Sequence, residues 1–154
     1  MKDFENRLLS FIRKNAIKAE LMTFTTPCHT VEQAAASAKA DPEDFVKSLC
    51  LIDEKGNLVV AIVPGTGRLD LKKAALSAGA ARLRFANAEE VLQKTGYPVG
   101  GTPSFGYNAL FLVDRGVLEK KLVLTGGGSP SALVMVSPAE MIKANGAKLA
   151  DLTK

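Results

Sequence analysis

The chain has 154 residues, which is enough for one domain with a substantial hydrophobic core. Hydrophobic residues make up 47% and charged residues 23%, a composition that is typical of a soluble globular protein and excludes a disordered one. The net charge of +4 permits a polyanionic partner without requiring one. No apolar run reaches the roughly 18 residues of a membrane span, and the charged start Met1–Arg7 lacks a signal-peptide core. We therefore expect a cytoplasmic protein.

The reactive side chains are few. Cys28, Cys50 and the single His29 are too few for a metal site, so neither a metal nor another cofactor is predicted. Without a secretion signal, free thiols are expected and not a disulfide. Cys28 and His29 are adjacent, but neighbours in an extended segment point to opposite faces, which argues against a thiol nucleophile with its own base.

Apolar periodicity and capping residues define the first half of the chain. Phe4, Leu8, Phe11 and Ile12 share one helical face and predict an N-terminal amphipathic helix over about residues 3–16. The next predicted elements are a strand over 21–25, a helix from the capping residue Thr30 to about Ala40, a short helix after Asp41, and a hairpin of strands 48–52 and 58–63.

The second half alternates single helices with strands. Asp70 and Asn87 are predicted N-caps of helices over 71–78 and 88–95, which Gly79 and Gly96 end. The remaining predicted elements are strands over 82–86, 110–113, 121–125 and 132–136, a helix from Ser137 to Gly146, and an edge strand over 147–152. The order predicts one α+β domain over residues 1–154, with a mixed, barrel-like sheet flanked by helices.

The segment from Gly96 to Tyr107 holds four glycines and two prolines in twelve residues. Glycine admits backbone conformations closed to other residues and lets a ligand approach the main chain, while proline fixes φ. Such a loop can form a rigid backbone cradle for a substrate. The alternative is an Ω-loop that packs only on its own side chains. The other glycine-rich segment, Gly126–Gly128, is predicted to be a tight hairpin because no phosphate-loop context follows it.

Several short motifs follow one another in a fixed order. They are Cys28–Ala35, Val46–Leu49, Ala61–Gly65, Arg68–Asp70, Ala86–Val91, Thr95–Gly101, Phe111–Asp114 and the triple glycine. Together they resemble the YbaK/ProX family of aminoacyl-tRNA deacylases, relatives of the editing domain inserted in bacterial prolyl-tRNA synthetases. The resemblance runs from about His29 to the C-terminus.

This resemblance implies a free-standing enzyme that hydrolyses the ester joining a wrong amino acid to the 3′ end of a tRNA. It implies a small amino acid, such as alanine or cysteine on a proline tRNA, as the substrate. The partners would be the mischarged tRNA and an aminoacyl-tRNA synthetase. The family's lysine corresponds to Lys47, and its substrate loop corresponds to residues 100–106.

Within that scheme Lys47 is the predicted catalytic residue, whose ammonium would hold the phosphate of the terminal nucleotide or orient the ester. The alternative for Lys47 is a solvated lysine at a strand edge. The substrate loop contributes further predicted binding residues, with backbone groups holding the aminoacyl moiety and an attacking water: Gly100, Gly101, Thr102, Pro103 and Ser104.

The walls of the amino-acid pocket are predicted to be Phe24, His29, Thr30 and Phe105. Phe24 could instead be a core residue, and His29 a structural histidine. The chain departs from the family pattern in two places. Pro103 precedes Ser104, where many members have a small residue before the proline, and Ala132–Val134 occupies a stretch in which some members carry an acid.

Two alternatives to a deacylase stay open at this stage. The same cradle could bind an aminoacyl-tRNA end or a nucleotide without hydrolysing it, as an accessory module. A less favoured alternative is hydrolysis of an unrelated small ester or amide.

Overall fold

The computed structural model of the protein describes residues 2–25 and 31–154. Its helices are α1 (Lys2–Lys14), α2 (Val31–Ala38), α3 (Leu71–Ala78), α4 (Ala88–Thr95) and α5 (Pro138–Asn145). Its strands are β1 (Ala19–Thr23), β2 (Val46–Asp53), β3 (Leu58–Pro64), β4 (Leu83–Phe85), β5 (Leu110–Asp114), β6 (Val123–Gly126), β7 (Ala132–Val136) and β8 (Lys148–Ala150). None of the described helices has the length and apolar character that crossing a membrane requires.

The strands form two sheets. The larger sheet has the order β4-β2-β3-β5-β8 and is mixed, because β4, β2 and β3 pair antiparallel while β3, β5 and β8 pair parallel. The smaller sheet, β1-β7-β6, is antiparallel. A single parallel bridge between Phe45 and Leu124 joins them. The predicted α+β class and mixed sheet are confirmed, and the described strands do not close into a barrel.

Strand β3 is the centre of the larger sheet and is buried on both faces. Val60 and Ile62 face a core shared with α1, α5 and the smaller sheet, whereas Val59, Ala61 and Val63 face a second core under α3. A strand covered on both sides must be apolar throughout, which explains the unbroken run of β3. The hairpin β2–β3 therefore gives the site a rigid base.

The predicted helix caps are confirmed where the structure describes them. The Asp70 carboxylate accepts from the N–H groups of Lys72 and Lys73, and Gly79 ends α3 at φ 69°. Asn87 and Glu90 form a reciprocal capping box at the start of α4. The predicted cap Thr30 lies outside the described residues.

Half of β2 has no sheet partner on its outer side among the described residues. β4 pairs only with Leu51–Asp53, so residues 46–50 lie against β3 alone, apart from the bridge at Phe45 and a bond from Ala86 N–H to the Cys50 carbonyl. An open strand edge leaves backbone groups and side chains of both faces accessible. The cavity described next opens at this edge.

Candidate active site

A cavity of about 350 Å³ lies at the open edge of β2. Its base is β2 itself, and the other walls come from α2, β6, β7, the loop of residues 96–107 (the Gly/Pro loop) and the segment around β4 and α4. The described lining residues are Ala34, Phe45, Val46, Lys47, Ser48, Leu49, Cys50, Phe85, Ala86, Val91, Val99, Gly100, Thr102, Leu124, Thr125, Gly126 and Leu133. Three sequence-predicted site residues, Lys47, Gly100 and Thr102, are thus brought together.

Lys47 lies between this cavity and a second cleft. Its Nζ donates a hydrogen bond to the Gly67 carbonyl at 3.1 Å, which holds the ammonium at the edge of β2. Lys47 shares the β2 face of Leu49 and Leu51, opposite to the face of Ser48 and Cys50. The side chain is therefore placed by a specific carbonyl and is not a freely solvated lysine.

The second cleft has a volume of about 680 Å³ and shares Lys47, Leu49 and Phe85 with the first cavity. Arg68, Lys72 and Lys154 also line it, so with Lys47 four basic residues line one cleft. The nearby Asp70 carboxylate is occupied by the first backbone N–H groups of α3. The cleft therefore suits an anionic ligand that also reaches Lys47.

The Gly/Pro loop is fixed by hydrogen bonds within itself and to the neighbouring β6–β7 connection. Thr102 Oγ1 donates to the Pro98 carbonyl at 3.0 Å, as does Gly101 N–H at 3.1 Å. Gly128 N–H in turn donates to the Gly101 carbonyl at 2.7 Å. This loop is more than an Ω-loop packed on itself, because a second segment holds its backbone.

The glycines permit the two segments to touch backbone to backbone. A Cβ on Gly101 would clash with the main chain of Gly128 and Ser129, and a Cβ on Gly126 would clash with the Thr102 carbonyl. Sequence analysis identified both glycine-rich segments but not their contact. The β6–β7 hairpin closes through residues 127–131, with a bond from Gly127 N–H to the Ala132 carbonyl at 3.1 Å.

Helix α1 secures the start of the same loop. The guanidinium of Arg7 donates to the Gly96 carbonyl and lies 4.6 Å from the ring centre of Tyr97. The Tyr97 ring is buried and Arg7 is exposed, so the guanidinium covers the ring at the protein surface. The N-terminal helix thus contributes to the shape of the site without lining the cavity.

Three hydroxyl groups form a chain beside the cavity. Ser48 Oγ lies 2.8 Å from Ser104 Oγ, which lies 2.6 Å from Thr125 Oγ1. Ser104 is completely buried and its carbonyl accepts from Asn145 Nδ2, so this predicted loop residue lies behind the cavity wall. Pro103 is buried as well, and its carbonyl accepts from the Tyr107 hydroxyl at 2.6 Å.

The structure places the predicted pocket walls differently from the sequence expectation. Phe105 is fully buried and stacks on Phe11 with ring centres 6.0 Å apart, so it is a core residue that does not line the cavity. Phe24 is half-buried and packs on the cluster that contains Phe45 and Leu124, behind the wall. The remaining two predicted walls, His29 and Thr30, lie outside the described residues.

Sequence analysis missed the polar and thiol groups of the cavity. Ser48, Cys50 and Thr125 line it, and burial raises the pKa of the Cys50 thiol to about 11. That thiol is free and stays protonated at neutral pH, so it is not a nucleophile. The alternation of β2 would have put Ser48 and Cys50 on one face, but the pairing that opens this edge is invisible in a single sequence.

Comparison with known proteins agrees with this geometry. The model of the aminoacyl-tRNA editing domain family matches residues 25–144. Over 105 residues the chain is 33% identical to proline–tRNA ligase of Thermosipho africanus, covering 68% of this chain but 18% of the ligase. It is 23% identical over 126 residues to EbsC of Enterococcus faecalis, described as a candidate deacylase of Cys-tRNA(Pro) and Cys-tRNA(Cys), with 80% and 77% of the two chains covered.

A solved structure supports the same assignment over nearly the full chain. The crystal structure of a candidate trans-editing enzyme for prolyl-tRNA synthetase matches with a TM-score of 0.90 at 32% identity, covering 97% of this chain and 96% of that one. The family resemblance carried by the sequence motifs is confirmed. The chain belongs to the aminoacyl-tRNA editing domain family.

Proposed function

We propose that the protein is a free-standing deacylase that hydrolyses the ester bond of a mischarged tRNA in the cytoplasm. The observation that carries this proposal is the cavity at the open edge of β2, where Lys47 and the Gly/Pro loop converge beside a cationic cleft. Membership of the editing-domain family supports the same reaction.

The chemistry needs little beyond positioning. An aminoacyl ester is already activated, so a site that orients it, admits one water and stabilises developing charge can accelerate its hydrolysis. Lys47 supplies a cation that the Gly67 carbonyl holds at the cavity edge. The backbone at Gly100 and Thr102 would fix the aminoacyl group, and a ribose hydroxyl of the substrate would assist the water, as in the scheme implied by the family.

The lining of the cavity favours an apolar amino-acid side chain. Its volume of about 350 Å³ lies within the range of ligand sites, about 300–1,000 Å³. Phe45, Leu124 and Leu133 make much of the wall apolar. Because one methylene changes binding by only about 1–3 kcal/mol, synthetases mischarge small amino acids and need a second sieve. We take alanine or cysteine on a proline tRNA as the first substrates to test.

The nucleotide end of the substrate would occupy the second cleft. Phe85 stands on the wall shared by both cavities and is 53% exposed, which leaves an aromatic face for a base to stack on. Arg68 and Lys72 would neutralise phosphates of the acceptor strand. The ester would then lie at Lys47, where the two cavities meet.

The test is release of labelled amino acid from a panel of mischarged tRNAs. We expect accelerated release of a few small amino acids from a subset of the tRNAs, and none from correctly charged prolyl-tRNA. Release no faster than buffer across the whole panel would refute the proposal.

A further inference from the structure

The hydroxyl chain of Ser48, Ser104 and Thr125 gives the cavity a hydrogen-bond donor of defined direction. The three groups come from β2, the Gly/Pro loop and β6, so the fold brings them together from distant parts of the sequence. Ser104 is completely buried and does not line the cavity. Ser48 and Thr125 both line it, but Thr125 is only 1% exposed, whereas Ser48 is half-buried. Of the two ends of this hydroxyl chain, the Ser48 end is therefore the more open to the cavity.

Counting protons, together with the burial of Ser104 and Thr125, favours one orientation of the hydroxyl chain. Each hydroxyl has one proton and two lone pairs, so two bonds use two of the three protons. In the part of the chain that the structure describes, the hydroxyls of Ser104 and Thr125 have no acceptor other than each other and Ser48. A third proton left on either would be a buried donor without an acceptor, which is costly. The favoured order is Thr125 donating to Ser104, and Ser104 donating to Ser48.

In that order the proton of Ser48 is the one available to a ligand. Lys47, the preceding residue on β2, approaches the cavity edge from the opposite face of the strand. The open edge of β2 thus presents an ammonium on one side and an oriented hydroxyl on the other. On its own side, the hydroxyl favours an oxygen that gains negative charge during the reaction.

We propose that Ser48 donates its hydrogen bond to the carbonyl oxygen of the aminoacyl ester, and that Ser104 and Thr125 are positioning residues that orient that donor. This inference rests on the proposed deacylase function. As water attacks the carbonyl carbon, the π electron pair moves to the oxygen, where the bond from Ser48 strengthens. Collapse re-forms the carbonyl and breaks the ester C–O bond, whose electron pair stays on the ribose oxygen. One water proton ends on that oxygen, and the other is released as the amino acid's carboxyl group ionises.

Single-turnover hydrolysis of a mischarged tRNA by a set of variants tests this assignment. Ser48→Ala should lower the rate about 100-fold with an unchanged KM, as expected for a donor used in the transition state. Ser48→Thr retains the hydroxyl and should restore most of the rate. Ser104→Ala should cost roughly tenfold and Thr125→Val less, because each acts only through Ser48. The exposed Ser10→Ala on α1 is the matched control and should be neutral.

The double variant separates positioning from a merely structural role. If Ser104 acts through Ser48, Ser48→Ala with Ser104→Ala should be no slower than Ser48→Ala alone. A further loss in the double variant, or full activity of Ser48→Ala, would overturn the inference. Equal losses on alanyl, seryl and cysteinyl esters are expected, since all share the carbonyl, and a loss confined to hydroxyl or thiol side chains would also overturn it. If the wild-type protein does not hydrolyse any of these esters, the proposed deacylase function itself is wrong.

Discussion

Lys47 and Cys50 lie three residues apart on β2 and line the same cavity with different chemical capacities. The Lys47 ammonium is held by one carbonyl at the strand edge, where it can meet an anionic substrate. The Cys50 thiol is on the opposite face, where burial raises its pKa to about 11. The nearby thiol therefore adds volume and polarisability to the cavity wall, and water is the attacking group in the proposed reaction.

The raised pKa of Cys50 predicts slow alkylation. In a Cys28→Ser background, where Cys50 is the sole thiol, iodoacetamide should label it far more slowly at pH 7.5 than a free peptide cysteine. The rate should rise with pH towards about 11 as the thiolate forms. Rapid labelling of the folded protein at pH 7.5 would show that the thiol is activated and would contradict this account.

At the scale of single residues, the site was only partly predictable. Lys47, Gly100 and Thr102 belong to motifs that the family resemblance identifies, and all three line the cavity. Phe105, a predicted pocket wall, instead turns its ring into the core. The Ser104 hydroxyl contacts Ser48 on β2 and Thr125 on β6, which lie 56 and 21 positions away in the sequence. No local sequence pattern predicts these contacts.

Among the secondary-structure elements, helix α4 shows how local signals position a cavity wall. Its capping box joins Asn87 to Glu90, and the Glu90 carboxylate also accepts two bonds from Arg84 on β4 at 2.8 Å each. These bonds, first from Arg84 and then from the Asn87 N–H, lower the pKa of Glu90 to about 2. Because Val91 on the same helix lines the cavity, this cap connects helix stability to the site.

The capping box predicts that Glu90→Gln lowers the thermal stability of the protein by an amount that depends on pH. The pKa of Glu90 is about 2 in the folded protein and about 4.3 in an unfolded chain, so its contribution is present above pH 4.3 and is lost as pH falls towards 2. Thermal unfolding should show a lower Tm for the variant at pH 7, with the difference shrinking between about pH 5 and pH 2. A difference independent of pH would contradict the role of the charge.

The helices and strands were predicted well where the residues that define them are close together in the sequence. The caps at Asp70, Asn87 and Ser137, and the β2–β3 hairpin, depend on residues a few positions apart. The division into two sheets depends on pairing between strands that are far apart in the sequence, such as β1 with β7. Such pairing cannot be recognised from a single sequence. For the same reason the open edge of β2, which makes the cavity, emerged only from the structure.

In the whole molecule, the two cavities adjoin at the edge of β2. They share Lys47, Leu49 and Phe85, and one is largely apolar while the other is lined by cations. An aminoacylated RNA end has the matching asymmetry, with a small side chain at one end and phosphates at the other. The modest net charge of +4 thus matters less than its concentration beside Lys47.

Charge reversal in the cleft should weaken RNA binding and leave folding intact. Arg68→Glu and Lys72→Glu should each raise KM for mischarged tRNA and lower the salt slope of binding by about 0.7–1 per lost phosphate contact. Lys72→Glu adds a negative charge in the first turn of α3, which favours the helix, so a weaker complex would not reflect unfolding. Lys14→Glu, on the exposed side of α1, is the control. Salt slopes equal to wild type would exclude the cleft as the phosphate site.

Single-turnover hydrolysis by wild type and by Lys47→Ala tests whether the protein is a deacylase that depends on Lys47. We expect that wild type releases a small amino acid from mischarged tRNA, that Lys47→Ala reduces this release about 100-fold or more, and that the variant still binds uncharged tRNA. The turn residue Lys55 provides the matched control, because its side chain is exposed and Lys55→Ala should retain full activity. If wild type binds mischarged tRNA but releases amino acid no faster than buffer, the protein is a binding module and the deacylase account is wrong.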